Sequence, residues 1–352
     1  MTTALALISC FLISLFLTPL VKKLAFKIGA TDQPNHRKVH KGAMARIGGL
    51  SVYAAFLAGL LILQPENAYM PYILVAGTII ILTGFLDDLT ELSAKWKLLG
   101  QIAAAVIVVA GGVQIQFINL PFDGRLELGW FSIPITLLWI IGITNAINLI
   151  DGLDGLAAGV SSIVLATISV LAIIQGDIFI VALGIALLGG TLGFLVHNFN
   201  PAKIFMGDTG ALFLGFMIGV ISLLGFKNVT IFSLVVPVII LAVPISDTFF
   251  AIIRRVVNKQ PLAAPDKSHL HHCLLRLGYS HRQTVLIIYA LSAFFGLSAV
   301  IFTISTLWVS LVIMMMLLIG IELMAERIGL VSHSYRPMLK LVNKFSNTPK
   351  RP

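Results

Sequence analysis

Residues 137–155 read LLWIIGITNAINLIDGLDG. An apolar run fit to enter a bilayer ends in two amides and two carboxylates, Asn145, Asn148, Asp151 and Asp154, spaced every three residues. Charged groups at membrane depth cost about 2.5–3.5 kcal/mol each on insertion scales, so a chain that puts them there is building a site. Neighbours in this series share a helical face, but over nine residues the face drifts by about half a turn. The four converge only if the helix end is tight or unwound, which Gly152 and Gly155 permit. A plain helix end running into a glycine turn would explain the glycines and leave the four polar groups unexplained.

Outward from this stretch the chain is almost all of one kind. Of its 352 residues 58% are hydrophobic and 11% charged, which excludes a soluble globular protein and a disordered one. Eleven apolar runs, near 2–20, 47–64, 71–86, 98–113, 132–150, 159–175, 178–196, 211–225, 230–250, 285–304 and 308–323, are each about long enough to cross a hydrocarbon core. The expected fold is an all-α polytopic integral membrane protein of about eleven transmembrane helices, a single domain over 1–352. The first run has no basic residue before it and Lys22 and Lys23 after it, the reverse of a secretory signal, so its N-terminus is expected outside. The C-terminus is then cytosolic, with a basic tail over 327–352. Of 24 Lys and Arg, 22 fall in the segments this orientation puts inside, leaving Arg125 and Lys227 outside. The net charge of +9 therefore belongs to one membrane face, where anionic lipid headgroups and phosphate-bearing substrates are better partners than nucleic acid. Cys10 and Cys273 fall on opposite sides and make no disulfide framework.

The same orientation puts all eight histidines and eight of ten aspartates inside, in loops near 21–46, 86–97, 148–158, 197–210 and 251–284. In GFLDD, Asp87 and Asp88 close the third run, where the negative end of the helix dipole disfavours anions, so the pair suits a magnesium site or a general base. Lys95 and Lys97 follow at headgroup level, placed to hold a lipid phosphate or to snorkel. In NFNPAKIFMGDTG (198–210), Asp208 and Thr209 can cap the next helix, but that leaves Asn198, Lys203 and Phe205 unaccounted for. A helix start with Gly, Asp and Thr also suits a phosphate and its metal, and Phe205 can stack on a flat base. In DKSHLHH (266–272), His269, His271 and His272 with Cys273 resemble a zinc set poorly and a diphosphate-binding lid better. Lys38 lies in the first inner loop, DQPNHRKVHKGAMARIGG (32–49), whose basic residues can bind substrate or fix topology. Gly189 and Gly193 are expected to mark close helix packing.

These motifs, with PISDTFFAIIRR (244–255), resemble the polyprenyl-phosphate N-acetylhexosamine-1-phosphate transferases (glycosyltransferase family 4) over nearly the whole chain and in order. The DKSHLHH form resembles the GlcNAc-1-phosphate branch, the WecA- and TagO-type enzymes, more than the phospho-MurNAc-pentapeptide branch. One departure is Ala45, where many relatives carry Pro. The resemblance implies transfer of GlcNAc-1-phosphate from UDP-GlcNAc to undecaprenyl phosphate, with Mg2+ or Mn2+, at the cytosolic face of a bacterial plasma membrane. Such a step would begin a surface polymer such as teichoic acid. It implies Asp208 as metal ligand, with Asp151 as a second candidate, and Asp87 and Asp88 as the catalytic pair. Asn148, Asp154, Asn198, Phe205, His269, His271 and His272 become substrate contacts, joined by Lys38 and Lys95. Membrane lipids are expected partners and a homodimer an expected assembly. The rival from another class, a secondary transporter, would place its charges near the midplane and show two related halves.

Overall fold

The computed structural model describes residues 2–32, 42–119, 124–226, 235–261, 268–330 and 337–339. Lys38, Asp266 and Lys267 lie outside the described residues. The helices are α1 (Thr2–Ile28), α2 (Gly49–Leu63), α3 (Met70–Thr90), α4 (Ala94–Ala110), α5 (Ser132–Ile150), α6 (Leu156–Gln175) and α7 (Ile178–Asn198). They continue as α8 (Gly207–Phe226), α9 (Val235–Ile240), α10 (Ala242–Val257), α11 (Leu270–Arg276), α12 (His281–Ile304) and α13 (Leu307–Ile328). Among the described residues there are also two small antiparallel pairs. β1 (Thr31–Asp32) pairs with β2 (Met44–Ala45), and β3 (Phe117–Asn119) with β4 (Arg125–Glu127).

Among the described residues each of the eleven apolar runs falls mainly on helix, the run 230–250 being described from 235. Among the described residues eight helices are long and apolar enough to cross a membrane: α1, α3, α5 with the short 3-10 turn before it, α6, α7, α8, α12 and α13. The other three runs fall on shorter helices, each for a local reason. α2 has 15 residues because its start, Gly48-Gly49, is tied by backbone hydrogen bonds to Phe205 and Met206. α4 stops at the Gly111-Gly112 pair, where Gly112 takes φ +95. The run 230–250 is divided at Leu241, because Pro244 has no N–H to donate to Ile240 and its ring crowds that carbonyl. The loop expected over 251–284 is partly helical, since α10 runs on to Val257 and α11 lies within it.

Helix ends follow local chemistry. Asp177 caps α7 by accepting from the Ile180 amide at 3.0 Å, and Ser280 and Gln283 form a capping box at the start of α12. α8 lies at the centre, packed against α2, α3, α5 and α6, with 83% of its span buried. α13 lies at the rim with 6% buried, its apolar side chains facing outward as a lipid-facing helix requires. Gly189 and Gly193 do mark a close crossing: a Cβ at Gly189 would lie 2.6 Å from the Leu7 carbonyl oxygen of α1.

Alternating helix directions bring one end of every motif-bearing element together. The end of α3, the starts of α4 and α8, the turn between α5 and α6, and α11 all meet at the same pole of the bundle, as the contacts below show.

Candidate active site

Asp87 and Asp88 sit in the last turn of α3 and are buried, 4% exposed each. Asp208 opens α8 opposite them. Carboxylate oxygens of the three lie within 4.8 Å of one another. The approach is possible because α3 crosses α8 at Gly84, where a Cβ would lie 2.6 Å from the Cα of Thr209. Asp88 caps α8 from another helix. Its oxygens accept from the amides of Asp208 (3.1 Å) and Thr209 (2.9 Å) and from the Thr209 hydroxyl (2.6 Å). The negative charge missing from α8's own N-cap is thus supplied by α3. Gly207 makes this entry with φ +69, and a Cβ there would collide with the Arg46 carbonyl and the Asp88 carboxylate.

Lys97 spans the other two carboxylates, with its Nζ 2.9 Å from Asp208 and 3.3 Å from Asp87. Arg46 lies 3.5 Å from Asp88 and 3.8 Å from both Asp32 and Glu91. Lys95, by contrast, points into the exposed surroundings of α4. The two lysines are two residues apart, about 200° around a helix, so only one can face inward. The sequence held the signal that chooses: Gln101, Ala104, Ala105 and Val108 are the buried stripe of α4, and Lys97 is one turn before Gln101 on it.

The every-third series divides. α5 ends at Ile150, and Asp151 leaves helical geometry at φ −75, ψ 53. Asn145 exchanges hydrogen bonds with Gln101, the shorter 2.6 Å, and is not part of the carboxylate cluster. Asn148 lies beside Asp208, where its side chain favours the ionised carboxylate. Asp151 faces the same cluster: withdrawal from water, then the charges of Asp208, Asp88 and Asp154, push it up to about 8 against the opposing Arg46. Asp154 turns away and holds the next loop, accepting from Asn200 Nδ2 and the Ala202 amide, both at 3.0 Å. Asn198 completes the clamp, accepting from the Gly155 amide at 3.1 Å and donating to the Ile204 carbonyl at 2.9 Å. Both Asn198 contacts are internal, so this buried amide shapes the loop that carries Phe205. Phe205 is half-buried, and its backbone pairs with Ala45 and Gly48.

The histidines form a second corner. α10 buries Asp247, Phe250, Ala251, Arg254 and Arg255 on one stripe. Asp247 accepts from His269 Nδ1 at 2.8 Å and from the Leu270 amide at 2.7 Å, fixing the start of α11. A carboxylate can only accept, so Nδ1 carries the hydrogen and Nε2 is the atom His269 offers. The motif PISDTFF (244–250) does not by itself single out Asp247; its place on the buried stripe of an amphipathic helix is the signal for it. The His271 ring packs against Gly152 and is 3% exposed, and among the described residues its Nε2 has no hydrogen-bond partner. Burial, reinforced by His272, His269 and His281 and opposed by Asp247, pushes His271 down to about 3. His272 is half-buried beside it, ring centres 4.2 Å apart. The Tyr289 hydroxyl donates to the Gly155 carbonyl, tying α12 to the same turn.

A divalent cation fits this donor set. Asp87 and Asp208 bring carboxylate oxygens to one place with Lys97 beside them, Asp88 holds Asp208 from behind, and Asp151 turns toward the same cluster.

A family sequence profile described as glycosyl transferase family 4 matches residues 70–226. A Bacillus subtilis protein named probable undecaprenyl-phosphate N-acetylglucosaminyl 1-phosphate transferase is 51% identical over 344 residues, 97% of this chain and 96% of its own. A decaprenyl-phosphate N-acetylglucosaminephosphotransferase of Mycobacterium leprae is 37% identical, covering 81% of this chain and 80% of its own. An Escherichia coli K12 undecaprenyl-phosphate alpha-N-acetylglucosaminyl 1-phosphate transferase is 30% identical, covering 82% and 80%.

Proposed function

Because the chain belongs to glycosyl transferase family 4, we propose that it transfers GlcNAc-1-phosphate from UDP-GlcNAc to undecaprenyl phosphate. The products are undecaprenyl-diphosphate-GlcNAc and UMP. The observation that carries the reading is the cluster of Asp87, Asp88 and Asp208 around Lys97, with Asn148 and Asp151 turned toward it. Related proteins named for this transfer support it. Phosphoryl transfer between two phosphate oxygens asks for charge neutralisation and in-line positioning more than for covalent chemistry. A phosphate monoester has its second pKa near about 6, so the acceptor is largely ionised at neutral pH and needs compensation more than deprotonation.

The roles follow from the contacts. Asp208, with Asp87 and Asp151, would hold a magnesium ion. When bound, that ion would neutralise the diphosphate oxygens of the donor and the departing UMP. Lys97, 2.9 Å from Asp208 and 3.3 Å from Asp87, would compensate charge on the acceptor and leaving phosphates. Asp88 is saturated by α8 and so acts by aiming Asp208. His269, fixed by Asp247, presents Nε2 to the diphosphate or sugar. The excess of basic residues at this pole supports a cytosolic active site, where a soluble nucleotide sugar meets a lipid-anchored acceptor at headgroup depth. The product would start a surface polymer of the teichoic-acid class.

The test is UMP release by purified protein in detergent with undecaprenyl phosphate, magnesium and either UDP-GlcNAc or UDP-MurNAc-pentapeptide. Release with UDP-GlcNAc alone, abolished by chelation, is expected. Release with the pentapeptide donor would move the chain to the peptidoglycan branch, and no release with either from folded protein would sink the reading.

A further inference from the structure

A second basic feature lies on the other side of the α7–α8 loop, walled by residues that take no part in the carboxylate cluster. A cavity of about 260 Å³ is lined by Thr18, Pro19, Lys22, His197, Lys203 and Ile204. Its floor is set by a helix defect. Pro19 lies inside α1 and cannot donate to the Leu15 carbonyl one turn earlier. His197 of α7 fills that role, with Nε2 3.0 Å from the Leu15 oxygen. A carbonyl only accepts, so Nε2 is the donor, and Nδ1 of the neutral ring is an acceptor that takes no part in holding an anion. Thr18 is wall and not ligand, since its hydroxyl is committed to Ser14 and Ser51.

The charge comes from two separate elements. Lys22 stands one turn after Thr18 on the same face of α1. Lys203 is held beside His197 because its backbone N–H donates to the His197 carbonyl at 2.8 Å. The cavity wall contains no carboxylate, and among the described residues neither lysine has an ion-pair partner. Two lysines from separate elements, lining one mostly apolar hollow beside the end of a transmembrane helix with no carboxylate in its wall, make a recess for a phosphate-bearing anion. Lysines kept only to orient the chain in the membrane would not need to converge on a cavity.

We propose that this cavity binds a phosphate-bearing anion, the headgroup of an anionic phospholipid or free phosphate, through Lys22 and Lys203. Such a ligand would brace Lys203 and Ile204 in the loop that leads through Phe205 to Asp208. The proposal goes beyond the transferase reading and is tested by binding, so either can fail without the other.

Full-length protein in neutral detergent is mixed with phosphatidylglycerol or phosphatidylcholine and retained lipid is counted by native mass spectrometry. Inorganic phosphate is added separately, as a competitor and in a melting assay. Wild type and the K22R/K203R variant are expected to retain phosphatidylglycerol over phosphatidylcholine, and K22A/K203A to bind it about thirtyfold more weakly. Displacement of the lipid by phosphate would identify a site for the free anion, and persistence of the lipid would identify the headgroup; both support the proposal. If the double variant melts early, Lys203→Ala alone is read, with about a fivefold loss expected. Equal retention of the two lipids by wild type together with no stabilisation by phosphate would overturn the proposal, as would an alanine variant that keeps its lipid.

Discussion

The carboxylate corner and the histidine corner face each other across the turn Asp151–Gly155, and they are built on opposite electrostatic plans. At the first, four carboxylates meet two cations, and Asp151 is held far above the ordinary carboxylate range. At the second, one carboxylate is saturated by a histidine and an amide, and the neighbouring ring is held neutral with Nε2 unpartnered. The first corner is deficient in positive charge, and a cation would complete it. The second is nearly neutral and holds its donors in fixed places, which suits recognition. Substitutions in the first should therefore fall on turnover, and substitutions in the second on substrate affinity.

The largest effect should come from Asp208→Asn. It keeps the shape, the α8 start and a hydrogen-bond acceptor but removes one negative charge from the cation's place. UMP release is expected to fall about 10³-fold with an unchanged melting curve. A loss under tenfold would mean that Asp208 is a cap and not a ligand. Lys97→Met should follow, at about 10²-fold, mostly in kcat, since Asp87 and Asp208 would face each other without their shared cation. Lys95→Met, on the exposed side of the same helix, should change activity less than twofold, and equal losses from the two would refute the assignment of Lys97.

At the histidine corner, Asp247→Asn should cost about tenfold, chiefly in KM. The amide oxygen can still accept one hydrogen bond but not hold both His269 and Leu270. A change confined to kcat would place His269 in the chemical step and dissolve the contrast between the corners. Asp247→Ala serves as the severe control, because it leaves a buried amide and a buried imidazole unpaired.

Much of this contrast was legible in the chain. Runs of apolar residues set the helices because a membrane core admits little else, and the polar motifs gathered at one pole because every second loop returns there. Sequence could not divide the labour inside a motif. Asn145, Asn148, Asp151 and Asp154 look alike at their spacing of three, yet each meets a different partner: Gln101, Asp208, the cluster as a whole, and the loop at Asn200–Ala202. That division depends on where α5 stops and which helices cross it, both long-range properties. Asn198 shows the same limit: as a buried amide it resembles a ligand contact, and its two hydrogen bonds are spent on joining two loops. Lys97 and Asp247 differ from these, since the buried stripes of α4 and α10 already pointed to them.

The smallest effect at neutral pH, and the sharpest test of neutrality at the second corner, is the acid limb of stability. Above about pH 6.5 His271 is uncharged in both the folded and the unfolded chain and contributes no pH dependence. Below that, the unfolded chain takes up a proton that the folded chain refuses until about pH 3. Stability should then fall by up to about 1.4 kcal/mol per pH unit across that window on account of this ring. His271→Asn cannot take up the proton, so melting temperatures of the variant and wild type should converge, or cross, as pH is lowered from 7 to 4. Carboxylates titrating in the same range act on both proteins and cancel in the difference. A constant difference across the range would mean that the ring accepts its proton without penalty, and the histidine corner would then be a charged anion site and not a neutral one.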